Sequence, residues 1–487
     1  MGIVRNQSIK NSISFYIGMA FGAINTVIIY PNVFKDNPEY FGLIQILLAY
    51  AIVVSTCTTL GIPKTFVRFF PAIKNKGQLY FLSFITPFLG FLFASISYFM
   101  FKEQLFELLN ATDLLKDNFF YILLLVFFIG FYDVLTSISR SFLSAATPIF
   151  INEVFLKFYS MSVLLLHWYG YVDFTAFLKI YLFGYFLKFA ILLVIQLLNN
   201  RFFFSISLKN LNLKEMFRYG LYVLVGGASI MLVTRLDMMM IGSLLDLKQV
   251  AYYTVAFFIG NAIMVPGKSI SAISIPLIAK AWEEKDLDQI QIIYSKSSIN
   301  QLIIGGAFFL CIWLNIDEVF SLLPVKFQAG KWVVFYIGLS QLFNITTGVN
   351  GVIIVNSKYY RYDFYTNLFL VFVTIITNYF LIQEYGIDGA AMATALSVFL
   401  FNFIRLTLIK VKMNMQPFSL KTFYTVLLLI MIYLCCSFLP NSSYAFLDII
   451  WRSLTVVLIF MSAVLYFNLS EDITSLFKEL FSFNSRK

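Results

Sequence analysis

Charged residues and histidine are scarce in this chain. Lysine, arginine, aspartate and glutamate make up 12% of the 487 residues, and the only histidine is His167. A soluble domain is about one quarter charged, so this chain has too few polar side chains to cover a water-soluble surface. The shortage of charge therefore excludes an ordinary soluble enzyme and leaves the lipid bilayer as the solvent.

Metal-ligand spacings and nucleotide-binding motifs are also missing. The four cysteines lie inside or at the ends of apolar runs, which predicts small hydrophobic side chains and no metal. No GxxxxGK[ST] motif occurs, so we expect no cofactor and no nucleotide-driven step. His167 precedes Trp168 and Tyr169, which is typical of an aromatic belt at a membrane interface.

Long apolar runs fill nearly the whole chain, which is 60% hydrophobic. A membrane-spanning helix needs about 20 apolar residues. Lipid offers the backbone no hydrogen-bond partners, so each span is expected to be a helix. The predicted fold class is an all-α polytopic membrane protein with about fourteen transmembrane helices. Candidate spans lie at 9–30, 41–62, 79–101, 118–139, 148–168, 174–199, 216–241, 251–276, 297–316, 330–351, 363–384, 388–410, 421–439 and 447–468.

The formal net charge of +10 comes from cations in alternate loops. Lys64, Arg68, Lys74 and Lys76 follow the second candidate span, whereas the preceding loop holds only Lys35. Cytoplasmic loops are enriched in lysine and arginine, so this alternation predicts an even number of spans with both termini in the cytoplasm. Because the cations mark topology, they do not indicate a surface for nucleic acid.

An internal repeat relates the two halves of the chain. Three residues of the first two spans match three residues of the seventh and eighth spans at nearly the same sequence separation. The pairs are Asn25 with Asp237, Phe41 with Tyr253, and Pro63 with Pro276. Six spans separate the copies, which predicts two pseudo-symmetric six-helix lobes of the same orientation. The predicted domains are lobes at 1–199 and 200–411, two further transmembrane helices at 412–470, and a cytoplasmic tail at 471–487.

Four segments carry residue patterns that are typical of a known family. RLDMMMIGSLLDLKQVAYYTVAFFIG (235–260) and YGIDGAAMATALSVFLFNFIRL (385–406) resemble the junctions of the seventh with the eighth helix and of the eleventh with the twelfth helix in the polysaccharide flippases. PEYFGLIQ (38–45) and TLGIPKTFVRFF (59–70) also fit the pattern. The chain thus resembles the O-antigen, capsule and teichoic-acid exporters of the superfamily that contains multidrug-and-toxin extruders and lipid II flippases.

The resemblance implies two lobes around a central cavity and alternating access. It also implies transfer of an undecaprenyl-diphosphate-linked oligosaccharide across the bacterial inner membrane. The implied partners are this lipid-linked oligosaccharide and the bilayer; coupling to H⁺ or Na⁺ and contact with other polysaccharide assembly proteins stay open. Two rival functions are a cation-coupled multidrug exporter of the same fold and a membrane glycosyltransferase or polymerase. The surplus of lysines within the spans argues against the first, and the short outer loops argue against the second.

A diphosphate needs cations within the membrane, where an unpaired cation costs about 2.5–3.5 kcal/mol. Lys188 is deep in the sixth span and is the stronger candidate for binding substrate, whereas Lys179 is near an end and can reach the interface. Lys157 follows Glu153 by one helical turn, so an ion pair and a role in the cavity are both open.

Other polar residues of the spans are candidates for the cavity or for coupling. Asp237 occupies the repeat position of Asn25, which predicts that both face the cavity. Asp237 is then either an ion-coupling carboxylate or part of a salt bridge. Arg235, two residues away, is directed to another side of its helix and is a further candidate substrate ligand.

The eighth span carries Thr254, Asn261 and Lys268 on nearly one face, which makes Asn261 and Lys268 candidate substrate ligands. Similar polar stripes on the tenth and eleventh spans fit either a wet cavity or hydrogen-bonded seams between helices. Arg68 either anchors the inner end of the second span or captures the diphosphate at the cytoplasmic side. Arg452 is predicted to be an interface anchor.

Overall fold

Every regular element of the described residues is a helix, which confirms the predicted all-α class. The computed structural model describes residues 2–199, 201–202, 205–206, 208, 211–440 and 444–483. Residue 200, the predicted start of the second lobe, and residues 484–487 of the predicted tail lie outside this set. The chain divides into an N-terminal unit, Met1–Thr254, and a C-terminal unit, Val255–Lys487. The predicted lobe boundaries at 199/200 and 411/412 stay predictions.

The N-terminal unit contains eleven α-helices and the start of a twelfth, together with π-helical segments at Ile24–Ile29 and Ile151–Phe155. The α-helices are α1 (Gly2–Ala23), α2 (Tyr30–Val33), α3 (Pro38–Thr58), α4 (Ile62–Phe69), α5 (Lys76–Leu108), α6 (Asp113–Asn118), α7 (Phe120–Ser141), α8 (Ala146–Phe150), α9 (Leu156–Trp168), α10 (Phe174–Leu198), α11 (Leu213–Leu244) and α12 (Leu247–Asn261).

The C-terminal unit continues from α12 through 3-10 segments at Ala262–Met264 and Val325–Gly330. Its α-helices are α13 (Val265–Glu283), α14 (Leu287–Leu314), α15 (Ile316–Ser321), α16 (Lys331–Thr346), α17 (Asn350–Asn356), α18 (Arg361–Met413), α19 (Leu420–Cys436), α20 (Ala445–Tyr466) and α21 (Glu471–Phe483).

Ten helices of the described residues are long and apolar enough to cross a membrane, or up to twelve if each of two bent pairs is one span. The bent pairs are Leu213–Gly226 with Met231–Leu244, at 51°, and Val325–Thr346 with Asn350–Asn356, at 47°. The chain is thus a multi-pass membrane protein. Counting α18 twice and adding the 17-residue helix Leu420–Cys436 reaches the predicted fourteen, and that number stays a prediction.

Helix α18 must comprise two spans, because its 53 residues would be about 80 Å long and the bilayer core is about 30 Å thick. Gly386 divides it with φ 59° and ψ −134°, a conformation that side chains strongly disfavour. Beyond the turn the two segments touch, since a Cβ atom on Gly389 would meet the Leu381 carbonyl oxygen at 1.9 Å. The two spans therefore form a tight hairpin.

A left-handed turn joins α3 to α4 in the N-terminal unit. Gly61, with φ 71°, precedes α4, and a Cβ atom there would lie 2.2 Å from the Gly220 carbonyl oxygen of α11. Below this turn, Phe66 is fully buried and its ring contacts Tyr80 of α5 edge-on at 5.2 Å. Glycine at position 61 and burial of Phe66 together fix the position of α4 and leave its opposite face, with Lys64 and Arg68, accessible.

Hydrogen-bonded seams hold the inner helices of the C-terminal unit together. The Asn402 Oδ1 atom accepts bonds from Thr347 and Asn350 at 2.9 and 3.0 Å, and its Nδ2 atom donates to Asn344 at 3.0 Å. Buried Arg405 forms an ion pair with Asp363 of the same hairpin. In this unit Asn344 of the tenth-span stripe therefore belongs to a seam between helices, one of the two predicted alternatives.

The prediction that Arg452 is an interface anchor is wrong. Its side chain is only 8% exposed, and its guanidinium donates to Glu318 Oε1 at 2.7 Å. It also donates to the carbonyl oxygens of Leu439 and Pro440 at 3.1 and 3.2 Å. This arginine therefore fastens α20 to α15. The prediction failed because the carboxylate that neutralises Arg452 is far away in the sequence.

Candidate functional site

Three cations surround a cavity within the N-terminal unit. The cavity has a volume of about 560 Å³, within the range of small-ligand sites. Lys64 and Arg68 are one turn apart on α4, and Arg140 is at the end of α7. None of the three forms an ion pair with a residue that the structure describes. The remaining described wall consists of Thr56, Thr59, Gly61, Pro63, Val67, Asp133, Thr136, Ser137, Tyr219, Val223, Leu224 and Met231.

Arg68 is held in the cavity wall by an aromatic ring. Its guanidinium carbon lies 4.2 Å from the centre of the Tyr219 ring of α11 and 5.7 Å from that of Phe69. A cation over a ring face gains about 0.5–1 kcal/mol where water has access, which orients the guanidinium without neutralising it. Arg68 therefore keeps hydrogen-bond donors available to an anion, and capture of substrate, one of its two predicted roles, stays a prediction.

One face of α7 supplies the polar side of the cavity. Asp133, Thr136, Ser137 and Arg140 follow one another at helical spacing and all line it. The sequence interpretation missed Asp133 and the two hydroxyls, although the i, i+3, i+4, i+7 spacing was a signal that could have found them. It looked for intramembrane cations and so passed over a carboxylate of the fourth span.

Lys188 lies behind this wall and is not among the described residues that line the cavity. It is 4% exposed, and its Nζ atom donates to Asn152 Oδ1 at 3.1 Å. The rings of Tyr132 and Tyr185 are 4.5 and 5.0 Å from the Nζ atom. The ammonium is therefore caged by an amide and two rings, and its predicted contact with substrate stays a prediction.

Lys157 forms the ion pair that its spacing predicts. Its Nζ atom is 2.8 Å from Glu153 Oε2, and Asn152 donates to Glu153 Oε1 at 3.0 Å. Asn152 therefore links the amines of Lys188 and Lys157 through one carboxylate. The ion pair is confirmed, and it neutralises Lys157. A separate role of Lys157 in the cavity stays a prediction.

Asn25 and Asp237 have different surroundings in the N-terminal unit. The Asn25 amide is buried and donates to the Lys157 carbonyl oxygen at 2.9 Å and to Ser160 at 3.1 Å, so it joins the first π segment to α9. Asp237 is 2% exposed and accepts a bond of 2.5 Å from the Tyr253 hydroxyl. Neither is among the described residues of the cavity wall, and their predicted roles stay predictions.

The described residues of the cavity wall do not include Arg235, Asn261 or Lys268. Arg235 is half-buried on α11, with Nε inaccessible and not hydrogen-bonded to a described residue. In the C-terminal unit, Asn261 is half-buried where α12 gives way to a 3-10 turn, and Lys268 is exposed beyond that turn. The turn interrupts the α-helical stripe that the sequence predicts. Their predicted contacts with substrate stay untested.

A family model described as polysaccharide biosynthesis protein matches residues 7–282, more than half of the chain. A second model, MatE, matches residues 223–380. No curated protein matches.

Solved structures share the fold at low identity. The lipid II flippase MurJ in an inward closed conformation has a TM-score of 0.76 and 16% identity, and the match covers 95% of this chain and 99% of that chain. An inward-facing MATE family multidrug transporter of the MOP superfamily has a TM-score of 0.64 and 13% identity, covering 84% and 98%. A MOP superfamily transporter from Pyrococcus furiosus has a TM-score of 0.56 and 13% identity, covering 84% and 96%.

These likenesses show that the chain shares the all-helical fold of a flippase and of transporters, which is the fold that its sequence motifs predict. By the match over residues 7–282, the chain belongs to the polysaccharide biosynthesis protein family.

Proposed function

We propose that this protein translocates an undecaprenyl-diphosphate-linked oligosaccharide across the bacterial inner membrane by alternating access. Both termini are then cytoplasmic, and the cavity of the N-terminal unit receives the diphosphate from the cytoplasmic side. The observation that carries the proposal is the trio of Lys64, Arg68 and Arg140, three cations without an ion-paired carboxylate among the described residues.

The electrostatics of the cavity suit a polyanion better than a cation. A contact between unit charges at about 4 Å is worth about 4 kcal/mol at the effective dielectric constant of partly solvated sites. Three cations face a single carboxylate, Asp133, in the described wall. A diphosphate can contact two or three of them at once, whereas a cationic drug would be repelled. The hydroxyls of Thr56 and Thr59 donate to backbone carbonyl oxygens, and their oxygens can still accept hydrogen bonds from sugar hydroxyls.

Alternating access also needs an energy source, which we propose is H⁺ or Na⁺ coupling or consumption of the product outside the cell. The MATE neighbours are exporters of the same fold, and this supports ion coupling without identifying the ion. Contacts with other polysaccharide assembly proteins belong to the same proposal.

The test is reconstitution of the purified protein in vesicles with a fluorescent undecaprenyl-diphosphate oligosaccharide, followed by a membrane-impermeant quencher. Wild-type protein should move the label between leaflets. Arg68→Ala should slow this movement at least about tenfold, a loss of about 1.4 kcal/mol, because it removes a fixed donor from the cavity. Arg68→Lys should lie between the two, since it keeps the charge and loses the planar fork.

Lys116→Ala is the matched control, because it removes an exposed cation that pairs with Asp113 in a loop outside the cavity. It should transport at the wild-type rate. If the wild-type protein accumulates a permanently cationic dye and leaves the lipid-linked glycan in place, the protein is a drug exporter and the proposal is wrong.

A further inference from the structure

Asp133 is the only carboxylate among the described residues of the cavity wall. It lies about 12 Å before the end of α7, well inside the helix bundle. Its chain neighbours Tyr132 and Val134 are buried, but its own side chain is exposed to the cavity. A carboxylate at such a depth is costly unless cations compensate it.

Two cations of the described residues lie near Asp133 without forming an ion pair with it. Arg140, two turns along the same helix, shares the cavity wall with it, and the Nζ atom of Lys188 lies 4.5 Å from the ring of the adjacent Tyr132. Lys188 is itself held by Asn152 and by the rings of Tyr132 and Tyr185. The carboxylate is thus placed between a fixed cation in the protein and the cations of the cavity.

We propose that Asp133 is a built-in counter-charge of the cavity, whose repulsion an arriving diphosphate must overcome by contacting the cavity cations. The inference rests on the proposed function, in which this cavity receives the diphosphate. It assigns Asp133 a role in setting the affinity of the cavity: the carboxylate lowers the affinity for every anion that approaches the three cations.

Repulsion of this kind lowers the affinity of the cavity for every anion. A diphosphate can still bind, because it contacts two or more cations at once. The repulsion by Asp133 weakens binding of the substrate and so assists its release after translocation.

The test is calorimetric binding of inorganic pyrophosphate and inorganic phosphate to the full-length protein in nanodiscs. Asp133→Asn should bind pyrophosphate about tenfold more tightly and should also bind phosphate more tightly, because the repulsion is removed for both anions. In vesicles the same variant should show a lower KM and a lower kcat for the lipid-linked glycan, because release is slowed. Asp117→Asn, an equal charge change in an exposed loop helix, should leave all four quantities unchanged.

Removal of Asp133 also leaves Lys188 less well compensated, so the double variant Asp133→Asn/Lys188→Met provides a second measurement. Tight binding of pyrophosphate should persist in it, because the cavity cations are intact. Unchanged or weaker binding in both variants overturns the inference while the proposed function stands. Wild-type protein that binds no pyrophosphate overturns both, and wild-type protein that binds it but moves no glycan overturns the proposed function alone.

Discussion

The buried arginines of the C-terminal unit differ from the cavity cations of the N-terminal unit in what lies beside them. Arg452 contacts Glu318, and Arg405 contacts Asp363, so each charge is neutralised inside the unit. Lys64, Arg68 and Arg140 have no such contact among the described residues. In these described residues the two units thus use cationic side chains for different purposes.

The comparison gives a criterion for interpreting a polar residue in a membrane bundle. A buried ion pair whose partners satisfy each other leaves nothing for a ligand, so its role is to fasten helices. A cation that lines a cavity without an ion-paired carboxylate keeps its donors free for an anion. In this chain the criterion separates positions that the sequence alone presents as equivalent.

The largest expected effect is on stability, at the Arg452–Glu318 pair. Glu318→Ala should lower the free energy of unfolding by about 3–5 kcal/mol, because it leaves a buried guanidinium without its carboxylate. Asp317→Ala is the matched control: the neighbouring carboxylate is 72% exposed and pairs with Lys331, so its loss should cost less than about 1 kcal/mol. Unfolding in detergent, followed by tryptophan fluorescence, measures both. Equal losses of unfolding free energy in the two variants would contradict the stabilising role of the buried ion pair.

A smaller effect is expected at Lys188. Its comparison with Lys179 tests whether a caged lysine and an exposed lysine of the same helix behave differently. Lys188→Ala should destabilise the protein by about 1–3 kcal/mol, since it leaves the half-buried Asn152 acceptor unpaired, and should reduce glycan transport at least tenfold. Lys179→Ala, on the exposed side of α10, should change neither quantity measurably. Transport in vesicles and thermal unfolding check the pair, and identical behaviour of the two variants would contradict the cage.

The smallest effect concerns the tail helix α21, where an ion pair is exposed. Asp472 accepts bonds of 2.9 Å from Lys296 and from Asn300. Burial acts to raise the pKa of Asp472, but these two bonds and the charge of Lys296 together hold that pKa below its ordinary value. A depressed carboxylate pKa stabilises the folded state above the unfolded pKa of about 3.9, and this stabilisation is lost as the pH falls through the lower folded pKa.

Hydrogen exchange of α21 should therefore be constant from pH 7 to about pH 4, after correction for the intrinsic rate, and should accelerate below that range. Both partners are more than one third exposed, so the pair should contribute less than about 1 kcal/mol. Asp472→Asn should abolish the acid-dependent step. If the step persists in this variant, another carboxylate controls the docking of α21.

The sequence predicted features that depend on local spacing. Hydropathy predicted the all-α membrane fold, and the interval of four residues predicted the ion pair of Lys157 with Glu153. Contacts between segments that are far apart in the chain could not be predicted from the sequence. Glu318 and Arg452 are 134 residues apart, so no local spacing pairs them, and Arg452 was assigned to the interface from its position alone.

The site was predicted in part for the same reason. Arg68 was a candidate and does line a cavity, but its stacking on Tyr219 depends on how α4 meets α11. Lys188 was selected for its depth, and depth cannot show that Asn152 and two tyrosine rings enclose it. Asp133 was not predicted, although its polar stripe on α7 is visible in the sequence, because only cations within the spans were considered as ligands.

The hairpin of α18 has a mechanical consequence. Its two membrane segments are joined at Gly386 with no loop between them, and they touch again where Gly389 meets Leu381. A junction of one residue has only two soft backbone torsions, so a sideways movement of one membrane segment must move the other segment as well. The two segments therefore shift together as one unit when either of them is displaced.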